Sequence, residues 1–291
     1  MLKFYLEVLC VLNIHVVDEN QIVLSEVADF DLAETFNCGQ CFRWNPSGDN
    51  EFVGVAFDCV VNILKKKNKI VLTGKSMAKN FDTVWQNYFD LDSDYSKVKA
   101  GLSSLDATLS LACKYAPGIR ILQQDPWEAL CSFIISQNNN IPRIKGIIER
   151  LCRCFGREVE PGFFSFPKII TIAKLDKDDL SPIKCGFRDA YILDAAQKVA
   201  SGEVDFAKIA RMPLDSARKE LMKIKGVGPK VAECALLYGF HRLEAFPIDV
   251  WMQRALDTFF PGKDISYFGR HAGIAQQYIF HYSRMNPSLV K

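Results

Sequence analysis

The sequence predicts an α+β protein, in which a small N-terminal antiparallel β-sheet domain precedes a mainly α-helical body. Two observations support this prediction. Short β-rich runs separated by turn residues occupy the first part of the chain, and after about Asn80 the apolar residues recur at helical spacing. The 291 residues are enough for two modest domains with a sizeable core. We place the sheet domain at residues 1–110 and the helical body at 111–291.

Three β-rich runs make up the predicted sheet, at residues 51–57, 59–64 and 69–73. Residues 45–49 (Asn-Pro-Ser-Gly-Asp) and 65–68 (Lys-Lys-Lys-Asn) read as the turns next to them. Because short links join antiparallel neighbours, these runs favour an antiparallel sheet.

The helical body starts at a clear signal, since Asp125 is a good N-cap and Pro126 suits a first helical turn. An apolar helix is then predicted over residues 127–137. Further helices are predicted at 143–155, 188–201, 216–223, 230–240, 250–259 and 268–284.

Composition excludes a disordered chain, because 49% of the residues are hydrophobic and 24% are charged. Residues 1–100 carry 10 Lys+Arg against 14 Asp+Glu, a net charge of −4, and the remaining residues carry 26 against 20, a net charge of +6. A basic body beside an acidic domain is compatible with a nucleic-acid partner. An uneven scatter of surface charge explains the difference equally well.

The ten cysteines, without a secretory signal, are expected to be reduced thiols in a cytoplasm. Cys38 and Cys41 form a C-x-x-C motif, but no second pair completes a tetrahedral site, so we predict no metal and no other cofactor. The apolar run 1–17 is too short to span a membrane and reads as a strand or a dispensable extension.

The segment from Leu221 to Ala232 carries the most information. It reads as an amphipathic helix, a Gly226-Val227-Gly228 turn and a second helix starting at Pro229. Such a turn and helix start present free backbone amides that can hold a DNA phosphate. This is the pattern of a helix-hairpin-helix DNA-binding element, which we place at 221–240. The alternative is a tight turn between helices of an unrelated fold.

Lys230 lies in the first turn of that second helix, where the helix dipole disfavours a charged amine. A nucleophilic lysine needs this, because only the neutral amine attacks. Asp249 follows 19 residues later in Phe246-Pro-Ile-Asp-Val-Trp251. It can cap the next helix, or stabilise positive charge on a sugar. A solvated lysine and a simple cap are the alternatives, and the pair behind a hairpin argues against both.

With this pair in place, the chain resembles the 8-oxoguanine DNA glycosylase family of the helix-hairpin-helix base-excision superfamily, over nearly its whole length. The resemblance implies a bifunctional glycosylase and lyase, which flips 8-oxoguanine out of duplex DNA and excises it through a lysine Schiff base and β-elimination. Lys230 matches the family's nucleophile and Asp249 its assisting aspartate.

The resemblance also implies a base pocket. Asn37-Cys-Gly-Gln-Cys-Phe-Arg-Trp44 resembles the segment in which the carbonyl of Gly39 accepts the N7–H that oxidised guanine has and guanine lacks. Cys234 and Phe280 match the residues that pack on the two faces of the base, and Gln276 matches the glutamine that reads its Watson–Crick edge. Trp251 stands where eukaryotic members have histidine, so the contacts of that histidine cannot be carried over.

A second set of matches concerns the DNA that the flipped base leaves behind. In Asn138-Asn139-Asn140-Ile-Pro-Arg143, the first asparagine matches the residue that fills the gap, and the arginine matches a reader of the orphaned cytosine. Arg188 matches a second such arginine, and Phe187 replaces the family's tyrosine wedge. The predicted DNA-binding residues are Asn138, Asn139, Arg143, Phe187, Arg188, Gly226, Val227 and Gly228. An ordinary polar cap is the alternative for the three asparagines.

Two other functions remain open at this point. Another glycosylase of the superfamily is disfavoured on two grounds. The adenine and thymine-glycol branches commonly carry a C-terminal four-cysteine motif, whereas the last cysteine here is Cys234. The alkylpurine branch generally lacks the hairpin lysine, which this chain has. A non-catalytic DNA-binding module is disfavoured by Lys230 with Asp249. The expected partner is double-stranded DNA containing oxidised guanine, with no membrane. We expect a monomer in a prokaryotic cytoplasm, associated with the nucleoid.

Overall fold

The computed structural model describes residues 13–290, which form an antiparallel sheet followed by a mostly helical body. The predicted fold class is confirmed. Within the described residues the large sheet has six strands in the order β1-β2-β6-β5-β4-β3, and every neighbouring pair is antiparallel. The strands are β1 (Asn13–Val16), β2 (Gln21–Ser25), β3 (Trp44–Gly48), β4 (Glu51–Ala56), β5 (Cys59–Lys66) and β6 (Lys69–Gly74). Most of the predicted N-terminal extension lies outside the described residues.

Strand β3 corrects one prediction. Residues 45–49 read as a turn because they contain Pro46 and Gly48, yet Trp44–Gly48 pairs with β4, with a register shift between Pro46 and Gly48. Proline cannot donate to a sheet ladder and is therefore confined to edge strands or bulges. β3 is an edge strand with a bulge, so the sheet tolerates this sequence.

One face of the sheet packs on a core of its own. Helix α1 (Leu32–Asn37) places Phe36 against Trp44, with the rings stacked 4.4 Å apart. A helical segment with α2 (Met77–Asn80), a π-helical turn (Phe81–Trp85) and α3 (Gln86–Tyr88) contributes Trp85 to the same core. This aromatic cluster makes the small sheet a stable platform.

The helical body has its own, larger core. Its helices are α4 (Tyr95–Leu105), α5 (Ala107–Tyr115), α6 (Pro126–Ser136), α7 (Ile141–Phe155), α8 (Ile169–Ala173), α9 (Asp189–Ala200), α10 (Phe206–Ile209), α11 (Leu214–Leu221), α12 (Pro229–Gly239), α13 (Val250–Phe259) and α14 (Ala272–Met285). The predicted helices from 127 onward are confirmed, with small differences at their ends. Asp125 caps α6 as expected, since its carboxylate accepts the Glu128 amide at 2.9 Å. A small hairpin, β7 (Glu158–Glu160) with β8 (Phe163–Phe164), follows α7.

The two cores meet around the buried side chain of Arg120. Its guanidinium donates to the Asp90 carbonyl at 2.6 Å and to the Ala28 carbonyl at 2.9 Å, and lies 4.6 Å from the centre of the Tyr95 ring. The Arg120 guanidinium therefore joins the segment after β2, the segment after α3 and the start of α4. Division of the chain at residue 110 stays a prediction. No helix within residues 13–290 is long and apolar enough to span a bilayer.

Replacement of Arg120 tests this junction. Arg120→Met should lower the free energy of unfolding by about 3 kcal/mol, because buried carbonyls then lack a donor. Urea denaturation measures this loss. The slope of the unfolding free energy against urea concentration should stay unchanged, because the folded state keeps its compactness. A loss below about 1 kcal/mol would mean that the junction does not depend on Arg120.

Candidate active site

The turn between α11 and α12 is built on glycine. Gly226 has a φ of +77°, and a Cβ there would lie 2.3 Å from Cδ2 of Tyr191, so no other residue fits without rearrangement. Gly228 begins α12 without a side-chain cap, and the amides of Gly228 and Lys230 have no partner among residues 13–290. Free amides at a helix N-terminus bind anions. The turn therefore presents a site suited to a phosphate.

Val227, between those glycines, has a different environment. Its side chain is buried and its amide donates to the Ile224 carbonyl at 3.0 Å. It supports the turn from within, and its predicted contact with DNA stays a prediction.

The amine of Lys230 lies in a half-buried, largely apolar position. Its Nζ is 3.4 Å from the Ser136 hydroxyl and 5.2 Å from the centre of the Phe133 ring. Ser136 donates its own proton to the Phe133 carbonyl at 2.8 Å, which leaves its oxygen free to accept from the lysine. Among the described residues Lys230 forms no salt bridge.

Cys234 lies one turn beyond Lys230 on α12 and is buried. Burial raises the pKa of its thiol to about 11, although the nearby Lys230 lowers it and Asp249 raises it. The thiol is therefore neutral, which suits packing against the face of a base. Lys230 and Asp249 are therefore both near enough to Cys234 for their charges to act on its thiol.

Asp249 caps α13, which confirms the predicted capping role. Its carboxylate accepts the Met252 amide at 2.7 Å. The segment before it is held by Glu233 of α12, a buried residue that accepts the Phe246 amide at 2.7 Å and pairs with Arg218. Glu233 thus fixes where the Asp249 segment leaves the core.

Gln276 on α14 is buried, and only one end of its amide is satisfied. Nε2 donates to the Pro247 carbonyl at 3.1 Å, whereas Oε1 has no hydrogen-bond partner. A buried polar atom without a partner is costly and therefore uncommon. Gln276 is held in place by one end and offers an acceptor with the other.

The loop that carries Gly39 is fixed on both sides of that glycine. Gln277 donates to the Cys38 carbonyl at 3.2 Å, and Gln124 donates to the Gln40 carbonyl at 2.7 Å. The Gly39 carbonyl between them accepts no hydrogen bond from a described residue. Gly39 has a φ of +95°, and a Cβ there would lie 3.6 Å from Cε1 of Phe280. The loop therefore brings a free acceptor beside Phe280.

Trp251 makes its hydrogen bond within the protein. Its indole Nε1 donates to the Ser283 hydroxyl at 3.1 Å, and Ser283 donates to the Phe280 carbonyl at 3.1 Å. Because the N–H is used, Trp251 can contribute its ring face but not a polar edge.

The chain is similar to known base excision DNA repair proteins. The model for the 8-oxoguanine DNA glycosylase N-terminal domain matches residues 22–130, and the model for HhH-GPD superfamily base excision DNA repair proteins matches residues 131–267. The structure of MBOgg1 in complex with a low-affinity DNA ligand superposes with a TM-score of 0.90 at 40% identity, over 95% of this chain and 99% of that one. The chain belongs to the 8-oxoguanine DNA glycosylase family.

Two further proteins are similar to this chain over most of its length. The Clostridium acetobutylicum 8-oxoguanine glycosylase/lyase, in complex with DNA containing cytosine opposite 8-oxoguanine, gives a TM-score of 0.88 at 33% identity, over 94% of this chain and 98% of that one. A probable N-glycosylase/DNA lyase of Methanothermobacter thermautotrophicus is 28% identical over 90% of this chain and 96% of its own.

The three asparagines after α6 have separate roles in this member of the 8-oxoguanine DNA glycosylase family. Asn139 donates to the Ile135 carbonyl at 3.0 Å and closes α6, and Asn140 caps α7 by accepting the Arg143 amide at 3.0 Å. Asn138 is exposed with a φ of +47°, and its side chain bonds to no described residue. Of the three asparagine side chains, only that of Asn138 makes no hydrogen bond within residues 13–290.

Arg143 and Arg188 also differ from each other. Arg143 is exposed and forms no ion pair within residues 13–290, whereas Arg188 is buried. Arg188 donates to three main-chain carbonyls, those of Gln137, Asn138 and Cys185. These bonds use four of its five N–H groups, so at most one remains for DNA. Phe187 is 55% exposed, with the Arg188 guanidinium 4.4 Å from its ring centre.

The cysteine pair that suggested a metal motif is buried in the loop around Gly39. Cys38 donates to the Thr35 carbonyl at 3.1 Å, and burial raises the pKa of its thiol to about 12. In the described part of the chain, no three His, Cys, Asp or Glu side chains cluster as metal ligands.

The Gln277 contact gives a testable prediction. Gln277→Ala should remove the donor to Cys38 and leave the buried Tyr238 hydroxyl, which donates to Gln277 at 2.6 Å, without a partner. Stability should fall by about 2 kcal/mol and binding to lesion-bearing duplex by roughly tenfold. Tyr238→Phe is the control, since it keeps the Cys38 contact. Equal losses of lesion binding in both variants would contradict a specific role for the loop.

Proposed function

We propose that this protein is a bifunctional DNA glycosylase and lyase that excises 8-oxoguanine from duplex DNA. The observation that carries the proposal is the buried, unpartnered Oε1 of Gln276. The Watson–Crick edge of guanine offers two donors, N1–H and the exocyclic amine, to such an acceptor. Adenine offers an acceptor at N1 and a donor only at N6. The pocket is therefore suited to a guanine-type base.

Selection of the oxidised form rests on Gly39. Its free carbonyl would accept N7–H of 8-oxoguanine, whereas undamaged guanine has a lone pair at N7 and would repel it. Two acceptors, one at each edge, match the donors of the lesion. Cys234 and Phe280 would pack on the faces of the base, which must leave the stack to reach them. A mismatch at one buried polar contact discriminates strongly between ligands.

The chemistry would start at Lys230. Its neutral amine attacks C1′ while the C1′–N9 bond breaks, and the electron pair of that bond leaves with the base. Opening of the sugar ring then gives a protonated Schiff base between lysine and C1′. Loss of a proton from C2′ expels the 3′ phosphate and cleaves the strand. Asp249 would stabilise positive charge developing on the sugar in the first step.

Contacts to the DNA follow from the exposed groups. The Gly226–Gly228 turn would hold a phosphate, Asn138 would fill the gap left by the flipped base, and Arg143 would read the opposite cytosine. Phe187, free at the surface, would act as the wedge beside it. Arg188 would support this surface chiefly by holding the Asn138 loop, with one N–H left for the base. A monomer in a prokaryotic cytoplasm also remains a prediction.

The covalent step can be tested directly. Borohydride should trap an adduct between the protein and duplex carrying 8-oxoguanine, because it reduces a Schiff base to a stable amine. Lys230→Gln should abolish trapping and strand cleavage and still bind the lesion. The control is Lys225→Gln, which removes an exposed lysine from the same hairpin and should trap normally. Undiminished trapping by Lys230→Gln would exclude Lys230 as the nucleophile.

The role of Asp249 can be separated from its capping role. Asp249→Asn keeps an oxygen that can accept the Met252 amide, and asparagine caps helices about as well as aspartate. We expect thermal stability to change little while the rate of excision falls at least a hundredfold, a loss of about 2.7 kcal/mol of transition-state stabilisation. If the melting temperature falls sharply and the rate follows it, Asp249 is only a cap.

A further inference from the structure

Arg284 lies beside Gly39 and Phe280, and the mechanism above gives it no role. It is exposed near the end of α14, and within the described part of the chain it forms neither an ion pair nor a hydrogen bond. Its Nη1 lies 3.7 Å from the position that a Cβ on Gly39 would occupy. Its guanidinium carbon is 6.0 Å from the centre of the Phe280 ring. An unpaired cation thus faces the residues that line the pocket.

The position of Arg284 in the last helical turn does not by itself explain where the guanidinium lies. Cations at a helix end can bind the last free carbonyls. Here Asn286 fills that role, because its amide and side chain donate to the Tyr282 carbonyl at 3.1 and 2.8 Å. The guanidinium points instead towards Gly39. Its charge is felt there, since it opposes the rise that burial causes in the pKa of the Cys38 thiol.

The chemistry of the lesion suggests what this cation does. 8-Oxoguanine differs from guanine at two adjacent ring atoms, N7, which gains a hydrogen, and C8, which gains a carbonyl oxygen. If the Gly39 carbonyl accepts N7–H, the O8 atom must lie beside Gly39. A donor placed next to Gly39 is then within reach of O8.

We propose that Arg284 donates a hydrogen bond to O8 of the flipped base, and so serves as a second residue that distinguishes the lesion from guanine. This inference rests on the proposed function, because it takes the substrate and the contact at Gly39 from there. Arg284 and Gly39 would then recognise complementary groups, an acceptor and a donor, on one edge of the damaged ring.

A contact between Arg284 and a DNA phosphate is the competing account of an exposed cation. It makes a different prediction. A phosphate contact strengthens binding to damaged and undamaged duplex alike and weakens with salt, whereas a contact to O8 acts only on bases that carry that atom.

The experiment measures binding by the Lys230→Gln protein, which does not turn the substrate over, to three duplexes with cytosine opposite the test base. The bases are 8-oxoguanine, 8-thioguanine and guanine. 8-Thioguanine keeps N7–H but replaces O8 by sulfur, a weaker acceptor. Arg284→Met is then added to this background. Arg270→Met is the matched control, because it removes an exposed arginine just before the opposite end of α14, about 20 Å away by helix rise.

Arg284→Met should weaken binding of 8-oxoguanine duplex by roughly ten- to a hundredfold, the value of a hydrogen bond from a charged donor. Binding of 8-thioguanine duplex should fall much less, and binding of guanine duplex should not change. Arg270→Met should leave all three affinities unaltered. An equal loss for the three duplexes would assign Arg284 to a phosphate, and no loss for any of them would remove it from recognition. If the Lys230→Gln protein itself does not prefer 8-oxoguanine to guanine, the proposed function fails first.

Discussion

The site depends on the hydrogen bond from Gln277 to the Cys38 carbonyl, which joins α14 to the loop after α1 across 239 residues of sequence. Gln277 also accepts a hydrogen bond from Tyr238, so α12, the helix that carries Lys230, is tied to the same point. The neighbouring Gln276 donates to the Pro247 carbonyl instead. Because successive helical residues are 100° apart, one glutamine fixes the loop while the other leaves its side-chain oxygen without a partner.

The two carboxylates near Lys230, those of Asp249 and Glu233, each have partners of their own. The Asp249 carboxylate caps α13, and its charge acts on the same Cys234 thiol as the charge of Lys230. Glu233 is engaged with Arg218 and the Phe246 amide, so it is not available to neutralise the lysine. Lys230 thus lies beside the Phe133 ring, the Ser136 hydroxyl and a neutral thiol.

Much of this could be predicted from the sequence where the signal is local. The hairpin glycines, the cap at Asp249 and the helices after residue 125 each depend on a few adjacent residues, and the structure has them there. Gln277, Gln124 and Glu233 gave no such signal, because a buried glutamine or glutamate is recognised only by partners far along the chain. The burial of Arg188 was missed for the same reason, since two of its three acceptors, the carbonyls of Gln137 and Asn138, lie about 50 residues away. Strand β3 was missed because Pro46 and Gly48 indicate a turn unless the strand is known to lie at an edge.

We propose that the free oxygens of Gln276 and Gly39 select the base. A crystal structure of the Lys230→Gln protein with duplex containing 8-oxoguanine would show both contacts at once. We expect a base turned out of the helix between Cys234 and Phe280, with N1–H or the exocyclic amine on Oε1 of Gln276 and N7–H on the Gly39 carbonyl. A flipped base that leaves either oxygen without a hydrogen bond, or a lesion still stacked in the duplex with the pocket empty, would contradict it.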